Sequence, residues 1–308
     1  MNKPEIGVYL PQMGLSYDQI LHRTRRCEDL GIDSLWLYDH LYAPGAPDYP
    51  SLEAWTLATA LLSRTERIQI GHMVLCNQFR HPAVLAKMAT TLDQISAGRL
   101  QLGIGSGSIE DEHSRTGLEW GTLRLRSERL GETLQILHQA FADEVIDFTG
   151  THFTVSGMPI KPGPVRRPPI IVGGVGEKYT LPLVARYADV WNVPTYTLGK
   201  LEHKVSVLRS ICDEVGRDPS TIVMSIEAVM ALAPDDAALP EVRQLAGKRF
   251  GAPAFGLEEG GLIGTPPAIV DRLHELTELG FGQIVLFTHD RGSDETLDLL
   301  ASGVIARL

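Results

Sequence analysis

RIQIGHMVLCNQFRHPAVLAKMATTLDQISAGRLQLGIGSG, residues 67–107, holds a strand, a helix and a second strand in that order. RIQIGHMVL and RLQLGIGSG are apolar runs typical of buried strands. The segment between them predicts a helix, with Pro82 in its first turn and Gly98 at its end. Two strands joined by a helix predict a parallel pair, because a crossover is needed to bring the second strand back in the same direction.

The same alternation continues on both sides of this stretch. About eight strand–helix units can be counted, which predicts a (β/α)8 TIM barrel with insertions in its βα loops. No linker separates two halves, so residues 1–308 are predicted to form one domain. The other predicted strands are 5–11, 34–40, 168–174, 189–194, 221–232 and 283–288. A β-hairpin is predicted over 144–157, and an irregular insertion with some helix over 235–266.

Composition limits the classes of partner. The formal net charge of -10 disfavours nucleic acid and anionic membrane surfaces, since both would repel the chain at long range. The three cysteines, Cys27, Cys76 and Cys212, are widely spaced, which fits free thiols in the cytoplasm better than a disulfide framework. No apolar run reaches the roughly 18 residues that span a bilayer, and the N-terminus has no signal-peptide pattern. A cytoplasmic protein acting on a small molecule is therefore expected.

The second predicted strand, SLWLYDH, ends in Asp39 and His40. In a barrel the active site lies at the carboxyl ends of the strands, so both side chains would be delivered to the barrel mouth. An imidazole there is a candidate proton carrier near neutral pH. The alternative is that Asp39 only caps the following turn and that His40 is a solvated loop residue.

Glycines follow several other strands, where they let a ligand approach the backbone. GIGSGS does not complete a dinucleotide fingerprint, because position 108 is serine. GGVGEKYTLPLVARYAD, residues 173–189, is a glycine turn that opens a helix, which is an arrangement able to bind an anion. Ordinary βα-loop turns would explain any one of these glycines. The sequence has no HExxH spacing for a metal, no GxSxG elbow and no GxxxxGK[ST] loop, so no metal site is predicted.

Taken together, these segments resemble the luciferase-like monooxygenase superfamily, and within it the oxidoreductases that use the deazaflavin coenzyme F420. The resemblance covers nearly the whole chain and is most specific over residues 62–107, where the pattern RHP-x3-AK-x3-TLD-x2-S-x-GR occurs. It implies a TIM barrel that holds a flavin or deazaflavin at its carboxyl rim. It also implies a non-proline cis peptide, here Met73–Val74, behind the cofactor ring.

By position, the resemblance places Asp39 as a hydrogen-bond partner of the deazaflavin head and His40 near its reactive carbon, as the catalytic residue. Met73 and Val74 would support the ring. The remaining cofactor contacts fall at the ends of the fourth, fifth and sixth strands: Gly105, Ser106, Gly107, Gly173, Gly174, Val175 and Asn192.

One position departs from the family pattern. Sugar-phosphate dehydrogenases of this type carry glutamate directly after the fourth-strand Gly-x-Gly, whereas this chain has Ser108, with an acidic stretch at 110–112. The usual proton donor is therefore missing or moved, and glucose 6-phosphate is not the expected substrate. The substrate would be shaped by loops 41–52, 108–123 and 233–264, whose composition indicates no chemical class.

Three functions remain open at this stage. The first is hydride transfer between F420 and a small organic substrate, and the second is an FMN-dependent monooxygenase on the same barrel. The third is a cofactor-free or binding relative. The resemblance also implies a homodimer formed through outer helices, and residues 51–62 and 81–95 carry the broad apolar faces that such an interface needs.

Overall fold

The computed structural model describes residues 3–251 and 255–308. Eight parallel strands close into a barrel, which confirms the predicted (β/α)8 fold. In order around the barrel these are β1 (Glu5–Tyr9), β2 (Ser34–Leu37), β3 (Gln69–His72), β5 (Leu100–Gly105), β8 (Ile170–Gly173), β9 (Val190–Val193), β10 (Val223–Leu232) and β12 (Phe281–Thr288). β1 pairs with β12, so strands from both ends of the chain lie side by side.

Helices follow the strands and cover the outside of the barrel. The first shows why they begin where they do: Ser16 accepts a hydrogen bond from the amide of Gln19, whose side chain accepts one from the Ser16 amide. None of the helices in the described ranges is long and apolar enough to cross a membrane. They are α1 (Tyr17–Asp29), α2 (Ala54–Leu62), α3 (Pro82–Ser96), α4 (Glu110–Thr116), α5 (Leu123–Ala142), α6 (Thr180–Tyr187), α7 (Leu201–Val215), α8 (Leu239–Phe250), α9 (Leu257–Gly260), α10 (Pro266–Glu278) and α11 (Asp294–Leu299).

Four further strands lie outside the barrel wall. β6 (Val145–Thr149) and β7 (Thr154–Pro159) form the predicted antiparallel hairpin. β4 (Leu75–Cys76) extends the pairing of β5, and β11 (Leu262–Gly264) pairs with β10. Short 3₁₀ segments occur at Asn77–Phe79, Thr195–Lys200, Pro219–Thr221 and Ile305–Arg307, and a π-helical turn at Leu300–Val304.

Two segments outside the alternating pattern contain regular structure, and the sequence predicts some helix in the second of them. The loop after the fourth barrel strand contains α4, and the insertion after the seventh contains α8, α9 and β11. Residues 252–254 of that insertion lie outside the described residues. Near the carboxyl terminus, α11 ends at Leu299 and gives way to the π-helical turn.

The barrel interior is filled by large side chains. Trp36, Met73, Ile171, Val190 and Val285 form one buried cluster inside the wall. Glycine at position 7 of β1 is required by this packing, since a Cβ there would lie 2.7 Å from the Trp36 indole nitrogen. These side chains fill the interior below the carboxyl ends of the strands.

Candidate active site

A cleft of about 500 Å³ lies at the carboxyl ends of the strands. Its size falls in the range of small-molecule sites. The structure brings every residue singled out from the sequence to this one cleft. They are Asp39, His40, Met73, Val74, Gly105, Ser106, Gly107, Gly173, Gly174, Val175 and Asn192.

His40 is held by a carboxylate from another element. Its Nδ1 lies 2.8 Å from Oε2 of Glu112 on α4, and the other oxygen of Glu112 accepts a hydrogen bond from the Leu41 amide at 2.6 Å. The Glu112 side chain is only 2% exposed, whereas that of His40 is 22% exposed. Nε2 is therefore the ring nitrogen left free to act in the cleft, with the ring orientation fixed from behind.

Asp39 has three hydrogen-bond donors around it. Arg80 binds both carboxylate oxygens, and the Cys76 amide donates to Oδ2 at 2.8 Å. A carboxylate offers about four lone-pair sites, two on each oxygen, so Oδ2 is filled and one site on Oδ1 remains. Asp39 thus fixes the loop after β4.

The wall of the cleft is built on Val74. The Met73–Val74 peptide is cis, at the position that the resemblance assigns to it. A Cβ on Gly105 would lie 2.8 Å from one methyl of Val74, and a Cβ on Gly173 would lie 2.9 Å from the other. Both glycines are therefore needed for Val74 to pack closely against the ends of β5 and β8. Because neither glycine adds a side chain, this wall of the cleft is nearly flat.

A glycine turn leads from β8 into α6. Gly174 has a φ of 119°, which an L side chain rarely adopts, and its amide donates to the Asn192 carbonyl at 3.0 Å. The Thr180 amide donates to the Gly176 carbonyl at 2.8 Å as the helix begins. Thr180 lines the cleft, so the amino end of α6, with its partial positive charge, faces the same space.

Several cleft residues were not singled out from the sequence: Cys76, His113, Tyr196 and Glu227. Burial raises the pKa of the Cys76 thiol to about 12, so this cysteine is a neutral lining residue. Glu227 is different, because loss of hydration raises the pKa of its carboxyl to about 7. A signal for Glu227 was present, since it is the one charged residue in the apolar run TIVMSIEAVMAL. The acidic stretch that supplies Glu112 was noticed, but sequence spacing did not show which of its carboxylates reaches His40.

Comparisons with known proteins agree with one another. A family profile described as luciferase-like monooxygenase matches residues 3–252. An F420-dependent glucose-6-phosphate dehydrogenase of Microbacterium testaceum (strain StLB037) is 30% identical over 303 residues, covering 87% of this chain and 86% of the relative. The enzyme of the same name from Amycolatopsis mediterranei (strain U-32) is 33% identical over 166 residues, and the alignment covers 53% of this chain and only 48% of that relative.

Solved structures share the fold. The structure described as an F420-dependent secondary alcohol dehydrogenase in complex with an F420-acetone adduct superposes with a TM-score of 0.83 over 99% of both chains, at 22% identity. At this identity the structural similarity shows the fold and nothing further.

Proposed function

The chain belongs to the luciferase-like monooxygenase family, and we propose that it is an oxidoreductase that transfers a hydride between coenzyme F420 and a small organic substrate. One observation carries the proposal: the cofactor positions implied by the resemblance and the fixed imidazole of His40 line a single cleft. The names of the relatives at 30% and 33% identity, both F420-dependent, support the choice of cofactor.

The cleft fits a deazaflavin. The nearly flat wall at Val74, Gly105 and Gly173 leaves room for a planar ring system to lie against it. The amino end of α6 and the glycine turn before it offer positive partial charge to an anionic side chain of the cofactor. We propose that Met73 and Val74 support the ring and that residues 105–107 line the wall beside it. Residues 173–175 would contact the side chain and phosphate region of the cofactor, and Asn192 lies at the next strand end.

When bound, F420 supplies a carbon that donates or accepts a hydride. The chain's own residues then have separate tasks. His40 acts on the proton or hydride step at the substrate side through Nε2, and Glu112 holds its ring in place. Asp39 offers its remaining acceptor site to the polar edge of the cofactor.

An FMN-dependent monooxygenase is the alternative on the same barrel. It would require a site that stabilises a flavin hydroperoxide, and no feature of the cleft favours that chemistry over hydride transfer. A cofactor-free relative would be expected to lose the residues that line the cleft, and these are present here.

We propose a substrate other than glucose 6-phosphate, although two relatives carry that name. Ser108 lines the cleft at the position where the sugar-phosphate enzymes have glutamate, and the nearby Glu112 is engaged by His40 and Leu41. The loops around the mouth, 41–52, 108–123 and 233–264, would select the substrate.

Two further properties are proposed. Residues 1–308 form one domain, which is supported by the pairing of β1 with β12. The chain works in the cytoplasm, which is supported by three cysteines that are free and buried.

The direct test is a fluorescence titration of the purified protein with F420 and, separately, with FMN. We expect saturable binding of F420 at micromolar concentration and weaker binding of FMN. Turnover should then be measured with a panel of alcohols and carbonyl compounds that includes glucose 6-phosphate, with and without oxygen. Tight FMN binding with oxygen-dependent turnover would contradict the proposal and favour the monooxygenase.

A further inference from the structure

Three carboxylates line the cleft within the described ranges, and they differ in what surrounds them. Asp39 is bound by Arg80, and Glu112 accepts from His40 and the Leu41 amide. Glu227 forms no hydrogen bond or ion pair in the part of the chain that the structure describes, and loss of hydration raises the pKa of its carboxyl. Its chemistry is therefore unlike that of the other two.

The register of β10 places Glu227 inside the barrel near the mouth. Ser225 lies opposite Asn192 of β9, and the Asn192 side chain donates to the Ser225 hydroxyl at 3.3 Å. Side chains two residues apart on a strand point to the same face, so Glu227 lies on the Ser225 side, one step closer to the carboxyl end. There it lines the same cleft as His40.

The groups that face Glu227 do not compensate a negative charge. Tyr9 of β1 and Tyr196 after β9 both have a raised pKa, due first to burial and then to Glu227, so both phenols are neutral near pH 7. The charged groups at the ends of α8 and β12, Arg249, His289 and Asp290, act on one another. With no partner for a carboxylate, the neutral acid is well populated near neutral pH.

We propose that Glu227 is a second catalytic residue of the cleft, a carboxylic acid that gives its proton to the oxygen of a carbonyl substrate as a hydride reaches the adjacent carbon. The proposal rests on the proposed function and narrows its substrate to a carbonyl–alcohol pair. The carbonyl carbon gains the hydride from the reduced deazaflavin, the π electrons move to oxygen, and oxygen takes the Glu227 proton. Glu227 is left as a carboxylate and regains a proton from water. In the opposite direction the carboxylate accepts the hydroxyl proton of an alcohol.

Under this assignment, His40 and Glu227 act on the substrate from two sides of the barrel. β12 and β1 separate β10 from β2, so Glu227 and His40 approach the cleft from different directions. His40, whose Nδ1 is engaged by the Glu112 carboxylate, can bind the substrate oxygen with Nε2. Glu227, which has no such partner, is free to exchange its proton. A substrate between them would meet one fixed hydrogen-bonding group and one proton source.

The protonation state can be read without cofactor or activity. Infrared difference spectra of the protein should be recorded between pH 5 and 9 for the wild type, for Glu227→Gln and for Glu278→Gln. Glu278 is an exposed glutamate at the end of α10 and serves as the matched control. We expect a carboxylic acid band in the wild type and in Glu278→Gln that disappears near pH 7, and we expect Glu227→Gln to lack it. A wild type without that band overturns the proposal, and this reading does not depend on whether the variant folds.

Kinetics with the loaded protein test the catalytic role. We expect Glu227→Gln to lower kcat by roughly 10²–10⁴-fold, with F420 affinity within a few-fold of the wild type. The change near pH 7 in the pH profile of kcat/KM should disappear in this variant. Glu278→Gln should behave as the wild type. Turnover within a few-fold of the wild type in a folded Glu227→Gln overturns the role of Glu227 alone. A wild type that does not bind F420 overturns the proposed function, and the catalytic role with it.

Discussion

Arg80 and Asp39 form a two-point ion pair, with Nη1 2.7 Å from Oδ2 and Nη2 3.0 Å from Oδ1. Asp39 is almost completely buried, and Arg80 also reaches Glu53 at 2.7 Å. The pair joins the end of β2 to the segment that follows β4, so the two strand ends that carry His40 and Val74 are held in one arrangement. The ion pair therefore supports both sides of the cleft.

Removing Arg80 should leave Asp39 buried without its partner. We expect Arg80→Met to lower the free energy of unfolding by ~3–5 kcal/mol, which is the usual cost of breaking a buried pair from one side. Arg80→Lys keeps the charge but loses the two-point geometry, and should lose less stability. Urea unfolding at pH 7 measures both variants, and equal midpoints for Arg80→Met and the wild type would contradict the structural role.

His40 should affect turnover more than cofactor affinity. We expect His40→Ala to lower kcat by roughly 10²–10⁴-fold, because an imidazole positioned to act in the proton or hydride step is lost, while F420 affinity stays within a few-fold. Glu112→Gln should have a smaller effect, since it only loosens the ring. His274→Ala, an exposed histidine on α10, is the control. Fluorescence binding and turnover should be measured on the same samples, and turnover that survives in His40→Ala would show that His40 takes no part in the proton or hydride step.

The contact between Val74 and Gly173 can be tested by a double-mutant cycle. Gly173→Ala would bring a Cβ within 2.9 Å of the Val74 methyl, so Val74 should move toward the cleft and weaken F420 binding by about tenfold or more. Val74→Ala in the same protein should restore part of the loss, because the obstructing methyl is gone. Gly247→Ala is the control, since no atom lies within 4 Å of the added Cβ. Equal losses in the single and double variants would rule out the contact as the cause.

Much of the fold could be predicted because strand and helix periods alternate cleanly. Barrel strands such as SLWL and QIGH read as apolar runs, and the rule that barrel sites lie at the carboxyl side placed Asp39 and His40 at the mouth. The other cofactor positions came from the family resemblance. The pairing inside the cleft could not be predicted in this way. Arg80 meets Asp39, and Glu112 meets His40, across 41 and 72 residues of sequence. Such contacts depend on the path of the βα loops, and loops carry no periodic signal.

The position of the Glu227 side chain could not be predicted from the sequence either. A single glutamate in an apolar strand does not reveal whether it points into the barrel or outward, because that depends on the register of β10 with β9 and β12. The helix α4 was also missed, since its first turn, EDE, reads as a solvated acidic loop. Once folded, that turn delivers the partner of His40. Both omissions concern polar residues whose roles are decided by tertiary contacts.

A homodimer remains our proposal for the assembly, and the outer face of α2 and α3 is the surface to test. Val84 is 53% exposed and Ile95 49% exposed, and both line an apolar groove with Trp55 and Met88. We expect a dimer by light scattering at micromolar concentration, and a shift toward monomer in the double variant Val84→Glu, Ile95→Glu. Val223→Glu, which changes an exposed valine on β10, is the control. A monomeric wild type would contradict the proposal.

His72 should make the stability of the protein depend on pH in a defined window. Its ring is fully buried and stacks on Trp55 with centroids 5.5 Å apart, and its Nδ1 has no partner within the described residues. Burial lowers the pKa of His72 from 6.5 to about 4. Below pH 6.5 the unfolded chain therefore binds a proton that the folded protein refuses, so stability that is present above pH 6.5 is lost as the pH falls toward 4.

The size of this effect follows from the pKa difference. A shift of this extent corresponds to ~3 kcal/mol between pH 7 and pH 4. His72→Phe keeps a ring beside Trp55 but cannot titrate. As the pH falls from 7 to 4, we therefore expect the unfolding free energy of the variant to rise relative to that of the wild type by about this amount. His274→Phe, at an exposed position, should show no such relative gain. Urea unfolding of all three proteins at intervals from pH 4 to 7 makes the comparison, and parallel stability curves for the wild type and His72→Phe would show that His72 has the same pKa in the folded and unfolded states.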